Sequence, residues 1–210
     1  MALCYDPKAA IKTLSKADKK LGQLIKQVGG LDIDPPARLN PFEALLRSIV
    51  YQQLSGKAAS TIHGRVKALF PGRTIKPADV ITMPDETLRA AGMSRAKVAA
   101  VKDLSQKTVE GLVPSGAQLR KMSDEEIIAR LTQVRGIGEW TVQMVLMFQL
   151  GRPDVLPVKD LGVRKGFMIT YNLSDMPDEK EMAAYCECWR PFRSVASWYM
   201  WRAVDLANEK

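Results

Sequence analysis

Apolar residues recur at spacings of three and four along nearly the whole chain. Ile11, Leu14, Leu21, Leu24, Ile25 and Val28 form the first such stripe, opened by Asp6-Pro7 and closed by Gly29-Gly30. A capping acid, a proline at the first helical position and a terminating glycine pair predict one amphipathic helix, with its lysines on a solvated face. Residues 31–40, with Pro35-Pro36, read as a linker. Asn40-Pro41 opens a second helix whose core face is Leu45, Leu46, Ile49 and Val50, stopping near Tyr51. After the turn Gln52-Gln53-Leu54-Ser55, Ser55 caps a helix over 56–70.

Pro71-Gly72 breaks the chain, and two short helices begin near Lys76-Pro77 and Met83-Pro84. Ser94 caps a helix over 95–111, whose first turn, near Arg95 and Lys97, offers amides for a phosphate. Residues 113–116 read as a loop. Ser123 and Glu126 form a capping box for a helix that leads into 131–138. Further helices are expected over 161–171 and 178–188, with a break at Arg190-Pro191. The last helix carries Val195, Trp198, Tyr199, Trp201 and Val204. Strand-like alternation is absent from the pattern, so the expected class is all-α.

Composition narrows the functions. The 210 residues are 46% hydrophobic, enough for a sizeable core, and no apolar run is long enough to span a bilayer. No membrane partner is expected. Lys plus Arg number 31 against 23 for Asp plus Glu, a net +8, which fits a polyanion. Cys4, Cys186 and Cys188 are too few and too oddly spaced for a disulfide framework; they suit a reducing compartment, as buried thiols. With a single surface histidine, His63, a His/Cys zinc site is not expected.

Most of the chemistry lies in residues 131–166. This stretch reads as a helix, a tight turn Val134-Arg135-Gly136-Ile137-Gly138, a helix starting at Glu139 or Trp140, and a loop ending at Asp160. Gly136 and Gly138 lack Cβ, so both are free to take positive φ and approach a partner closely. Ile137 between them is placed to point back and pin the two helices. Amides at a helix start beside glycines suit an anionic oxygen, and in a basic chain the expected anion is a nucleic-acid phosphate.

Val134-Arg135-Gly136-Ile137-Gly138-Glu139-Trp140-Thr141 resembles the hairpin of the helix-hairpin-helix DNA glycosylase superfamily. Leu156-Pro157-Val158-Lys159-Asp160-Leu161-Gly162 resembles that family's downstream loop with its catalytic aspartate. The tail Trp189-Arg190-Pro191-Phe192-Arg193-Ser194 agrees in order. The similarity spans residues 40–203 and is greatest to the 3-methyladenine DNA glycosylase II, or alkylation-repair, branch. The resemblance implies two helical subdomains, a helix-hairpin-helix motif and an active-site cleft between the subdomains. Residues 1–39 are then an N-terminal helix and linker packing with the C-terminal helices. Residues 40–150 form a central domain ending in the hairpin motif at 124–150. Residues 151–210 hold the aspartate loop and C-terminal helices.

The implied reaction is release of an alkylated purine, of the 3-methyladenine or 7-methylguanine type, from double-stranded DNA to leave an abasic site. Cleaving a base–sugar bond builds positive charge on the sugar, which a carboxylate stabilises. Asp160 takes that role; Asp154, after Pro153, is the rival and reads as a turn residue. Trp140 stands where the strand-cleaving branch has an imine-forming lysine, which implies a monofunctional enzyme. The neighbouring Lys159 is expected to face phosphate. Trp140, Trp201 and Tyr51 are the base-binding candidates, with Trp189, Trp198 and Tyr199 behind them. Met144 occupies a position held by tyrosine in one relative.

Gln53, or else Leu54, fills the hole left by an extruded base, with Ser55 beside it. Gly136, Ile137, Gly138 and Thr141 are the backbone grip. Three cysteines cannot supply the four-thiolate iron–sulfur cluster of some relatives. The resemblance implies no cofactor beyond a monovalent cation that hairpin carbonyls are able to hold. The expected state is a monomer, nucleoid-associated in the cytoplasm of a prokaryote or nuclear in a eukaryote. Two other readings stay open at this point: a non-catalytic helix-hairpin-helix DNA-binding module, and a glycosylase for other damaged bases.

Overall fold

The structure is a computed structural model that describes residues 3–72 and 74–209. It is all-α, and no strand occurs among the described residues. The chain divides into two compact units, one of Met1–Ala37 with Leu146–Lys210 and one of the continuous stretch Arg38–Val145. Among the described residues no helix is long and apolar enough to cross a membrane.

The discontinuous unit opens with α1 (Pro7–Ala17) and α2 (Lys19–Val28). The sequence pattern predicts a single helix here, and the structure corrects it. Asp18 leaves helical geometry at φ −139° and caps α2, accepting from the Lys20 and Leu21 amides at 3.0 Å. Its other oxygen accepts from the Tyr171 hydroxyl, the Tyr185 hydroxyl (3.2 Å) and the Trp189 indole (3.1 Å). Burial raises the Asp18 pKa, but the bonds from Tyr171, Leu21, Trp189 and Tyr185 outweigh it and hold the carboxyl below its ordinary value. A buried carboxylate with five donors explains why a helix that could run on is broken there.

The rest of this unit is α11 (Leu161–Tyr171), α12 (Glu179–Tyr185), a 3-10 turn (Cys186–Trp189) and α13 (Arg193–Asn208). Leu14, Leu21, Leu24 and Ile25 bury against Val163, Phe167, Trp189, Val195 and Tyr199. The crossing of α11 and α13 is close because residue 166 is glycine: a Cβ there would lie 1.9 Å from the Met200 carbonyl oxygen. Trp189 and Tyr199 are fully buried and Trp198 nearly so, so these three base-binding candidates are core residues. The Tyr199 hydroxyl donates to the Gly29 carbonyl at 2.8 Å.

The continuous unit holds α3 (Pro41–Tyr51), α4 (Gly56–Ala68), α5 (Pro77–Thr82), α6 (Asp85–Ala90) and α7 (Arg95–Val109). It continues with α8 (Gly116–Leu119), α9 (Asp124–Leu131) and the start of α10 (Glu139–Phe148). Sequence reading missed α8, one turn closed by a Ser115–Gln118 capping box inside an expected loop. Asn40, Ser55, Ser94 and Ser123 cap α3, α4, α7 and α9 as their spacing predicts.

Within this unit α7 carries three lysines, and each ends on carbonyls at the C-terminus of another helix. Lys97 Nζ donates to the carbonyls of Val50 and of the C-cap Gln52, both at 2.8 Å, at the end of α3. Lys102 Nζ reaches Ile81 (2.8 Å) and Met83 (2.5 Å) at the end of α5. Lys107 Nζ lies 2.5 Å from the Gln133 carbonyl, after α9. Ammonium groups there satisfy carbonyls the helices leave open and complement the negative end of each dipole. The Lys97 side chain is thus turned inward, and burial lowers its pKa.

Candidate active site and nucleic-acid interface

In the continuous unit the hairpin turn is shaped by one glycine. Gly136 takes φ +78°, with a hypothetical Cβ 3.3 Å from that of Ala100 on α7. Gly138 does not take positive φ, and a Cβ there would meet open space, so the positive φ expected as open to both glycines is taken by Gly136 alone. Ile137 is buried, its amide donating to the Val134 carbonyl at 3.0 Å. Its side chain pins the turn and is not available to a partner. The ladder of α10 starts from the Val142 amide to the Gly138 carbonyl at 3.2 Å. Thr141 is buried in the first turn of α10, where it lines a cavity together with Trp140.

Asp103 steadies the turn from α7, accepting from the Arg135 amide at 2.7 Å and from Lys107 at 2.8 Å. Burial raises its pKa, but the Arg135 and Lys107 bonds prevail and hold it low. The hairpin carbonyls of Gln133 and Gly136 are already engaged, by Lys107 and by the Gln52 amide nitrogen (2.8 Å). A cation held at this turn would draw on the remaining carbonyls. Among the described residues no His, Cys, Asp or Glu cluster suits a metal ion.

The turn after α3 presents Gln53, Leu54 and Ser55 on the surface, Leu54 at 38% exposure. Gln53 takes φ +56°, a left-handed conformation that costs a non-glycine residue about 1–2 kcal/mol. Such strain at an exposed tip persists only when neighbouring bonds fix it. Here they are the two Lys97 bonds and the Gln52 bond to Gly136. Ser55 Oγ accepts from the Ala58 amide, so it is a cap first.

Beside the tip is a cavity of about 440 Å³ whose walls include Arg47, Tyr51, Gln52, Gln53, Trp140 and Met144. The volume falls in the ordinary range for small-ligand sites, roughly 300–1,000 Å³. Trp140 is 47% exposed. Tyr51, a base-binding candidate, lines this cavity with Trp140; the Arg47 guanidinium lies 4.2 Å from its ring centroid, and His63 packs against it edge-on at 6.0 Å. His63 is therefore half-buried and not a surface residue; burial, then the charges of Lys67 and Arg47, lower its pKa.

In the discontinuous unit Asp160 is the N-cap of α11 and is buried. Its Oδ1 accepts from the Val163 amide and from the Trp201 indole Nε1–H, each at 2.8 Å. Trp201 is half-buried, tilted against Phe148 at 5.7 Å, and its polar edge is committed to the carboxylate. Gly162 makes this approach possible, because a Cβ would sit 2.7 Å from Trp201 Cδ1 and 3.1 Å from Asp160 Oδ1. Lys159 is exposed. Asp154 is engaged elsewhere, bonding Arg193 at 2.7 and 3.0 Å and Arg190 at 2.5 Å. Of the thiols, Cys186 is buried, whereas Cys4 and Cys188 are exposed, so burial holds for one of the three. The Asp160–Trp201 bond, the Lys97 contacts and Arg47 lay beyond sequence reasoning. A basic residue one turn before a candidate aromatic was the only available signal for Arg47.

The sequence profile of the HhH-GPD superfamily base excision DNA repair proteins matches residues 46–191. DNA-3-methyladenine glycosylase 1 of Schizosaccharomyces pombe is 36% identical over 197 residues, 93% of this chain and 86% of that protein. The solved structure of the S. pombe 3-methyladenine DNA glycosylase in complex with abasic DNA is similar with a TM-score of 0.86 and 36% identity, covering 95% of this chain and 98% of that one. A DNA-3-methyladenine glycosidase from Bacillus halodurans gives a TM-score of 0.85 at 36% identity, covering 100% and 94%. The chain belongs to the HhH-GPD superfamily of base excision DNA repair proteins.

Proposed function

We infer that the protein is a monofunctional DNA glycosylase of base excision repair, acting as a monomer on double-stranded DNA. It extrudes an alkylated purine of the 3-methyladenine or 7-methylguanine type and hydrolyses its N-glycosidic bond, leaving an abasic site. The observation that carries this reading is the buried Asp160 carboxylate, fixed at a helix start by the Val163 amide and the Trp201 indole. A backbone grip alone has no use for a carboxylate anchored by two donors.

The steps follow from the residues. The amides where the hairpin turns into α10 bind a strand phosphate, and Gly136 lets the turn come close. The Gln53 tip enters the stack in place of the departing base, with Leu54 beside it. Trp140 offers an exposed indole face to the extruded purine. An N-alkylated purine is cationic, so the ring quadrupole attracts it and the leaving group needs little proton help. Arg47 opposes that charge, but the residue is exposed, so solvent screens it.

As the bond lengthens, positive charge grows on the sugar and the Asp160 carboxylate stabilises it. Held by Oδ1, it also orients water for attack at C1′. The hairpin position that would need an amine for strand cleavage holds Trp140, so the product is the intact abasic strand. The chain supplies each of these groups itself, so the scheme needs no second copy. The test is incubation with methylated duplex DNA and chromatography of the released bases. Asp160→Asn, which keeps a capping side chain, should lower release at least about 10²-fold while duplex affinity holds. Release that survives the substitution would refute the mechanism, and a borohydride-trapped adduct would replace it with a lyase.

A further inference from the structure

The three lysines of α7 have the same chemistry, yet only one holds the strained tip. Lys97 grips the last carbonyls of α3, at Val50 and Gln52, immediately before Gln53. Gln53 has φ +56° and an exposed side chain, so its own contacts do not explain its conformation. The same helix face underlies the hairpin: Ala100 packs against Gly136, Asp103 accepts from the Arg135 amide, and Lys107 meets the Gln133 carbonyl. Gln52 then joins tip to hairpin through the Gly136 carbonyl. Residues 97, 100, 103 and 107 lie at helical spacing, so one rigid rod sets the position of both contacts to the strand.

We propose that Lys97 is a positioning residue for base extrusion, fixing the tip so that Gln53 is preset for insertion at a constant distance from the hairpin. The inference rests on the reading of Gln53 as the residue that replaces the extruded base. Lys97 does not touch DNA; it acts through the Val50 and Gln52 carbonyls. Removing the ammonium leaves two helix-terminal carbonyls to water and lets residue 53 relax from its left-handed conformation. The loss falls on extrusion and not on general duplex binding, because the hairpin grip keeps its own support from Asp103 and Lys107.

Lys102 is the internal control, since it makes the same two-carbonyl contact at the end of α5, remote in sequence from tip and hairpin. The full chain is compared with Lys97→Met, Lys97→Arg, Lys102→Met, Gln53→Ala and the double variant Lys97→Met/Gln53→Ala. Three quantities are read: single-turnover release from methylated duplex, affinity for undamaged duplex, and fluorescence of 2-aminopurine placed beside the lesion. Lys97→Met should slow release about tenfold and suppress the fluorescence rise, with affinity for undamaged duplex changed less than about twofold. Lys97→Arg should recover most of the rate, and Lys97→Gln replaces the methionine variant if that chain does not fold. Lys102→Met should lower the melting temperature without slowing release. In the Gln53→Ala background Lys97→Met should add nothing, because both act through one tip.

The proposal is overturned if Lys97→Met and Lys102→Met behave alike in release, or if the Lys97 and Gln53 effects multiply. Failure of the underlying assignment looks different. Gln53→Ala would then keep the full fluorescence rise, and the proposal would fall with it. If Gln53→Ala loses the rise while Lys97→Met keeps it, the proposal alone fails.

Discussion

Asp18→Asn should destabilise the discontinuous unit by about 2.5–6 kcal/mol, although it adds no bulk and asparagine caps helices as well as aspartate. The cap to Lys20 and Leu21 survives, since the retained oxygen can face the amides. The new amide NH2 then faces the Tyr171 hydroxyl and the Trp189 indole N–H, donor against donor. The hydroxyl can rotate, but the indole cannot, and Trp189 is fully buried. A buried donor left unsatisfied costs about 1–3 kcal/mol, and losing a charge-assisted bond from Tyr171 costs about 1.5–3 kcal/mol more. Tyr185 is 44% exposed, so its hydroxyl finds water and adds little. For a chain of this size the sum corresponds to a melting temperature lower by roughly 10 °C.

The sign of the pH dependence is fixed. The folded carboxyl titrates below its ordinary value, so the unfolded chain binds more protons. The stability it contributes is complete above the unfolded pKa and is lost as pH falls toward the folded one. Urea unfolding at pH 7, 4.5 and 3 should therefore show the gap between wild type and Asp18→Asn narrowing below about pH 4. A gap under about 1 kcal/mol at pH 7, or one that widens in acid, would refute the reasoning. Function should follow stability, because Tyr171 closes the helix whose first cap is Asp160.

Two further outcomes separate fold from chemistry. Gly162→Ala places a methyl against the Trp201 ring and the Asp160 carboxylate; base release should fall at least about tenfold with little change in melting. Unaltered release from that variant would show that the indole bond is dispensable. Trp140→Ala removes a half-exposed ring, so stability should move by no more than about 0.5 kcal/mol. Loss of stacking worth about 1–3 kcal/mol should slow release between about fivefold and 150-fold. Equal release from this variant and wild type would remove Trp140 from the base site.

Features whose causes are local could be read from the sequence. Ser55, Ser94 and Ser123 each precede their helix and close it with their own side chains, and Asp160 does the same for α11. The break at Asp18 could not be read. The apolar positions on either side keep helical register, and the partners that hold the carboxylate are Tyr171, Tyr185 and Trp189, at the other end of the chain. Trp201 and Asp160 are likewise brought together by the Gly166 crossing, which no local signal announces. Tyr51 looks like a free aromatic in sequence; Arg47, one turn earlier, covers its face. The inward turn of Lys97 was hidden for a related reason, since a lysine in a first turn reads as solvated until the carbonyls it meets are known.

The unit that holds Asp160 is assembled from the two ends of the chain, with Arg38–Val145 intervening. On the ribosome the apolar stripe of α1 and α2 emerges long before Val163, Phe167, Val195 and Tyr199, residues that cover it. The intervening unit is complete in the nascent chain while that stripe is still bare. Premature termination anywhere before residue 193 leaves Leu14, Leu21 and Leu24 without the part of their cover that α13 supplies, so truncated products should be marked for proteolysis even where the hairpin is intact.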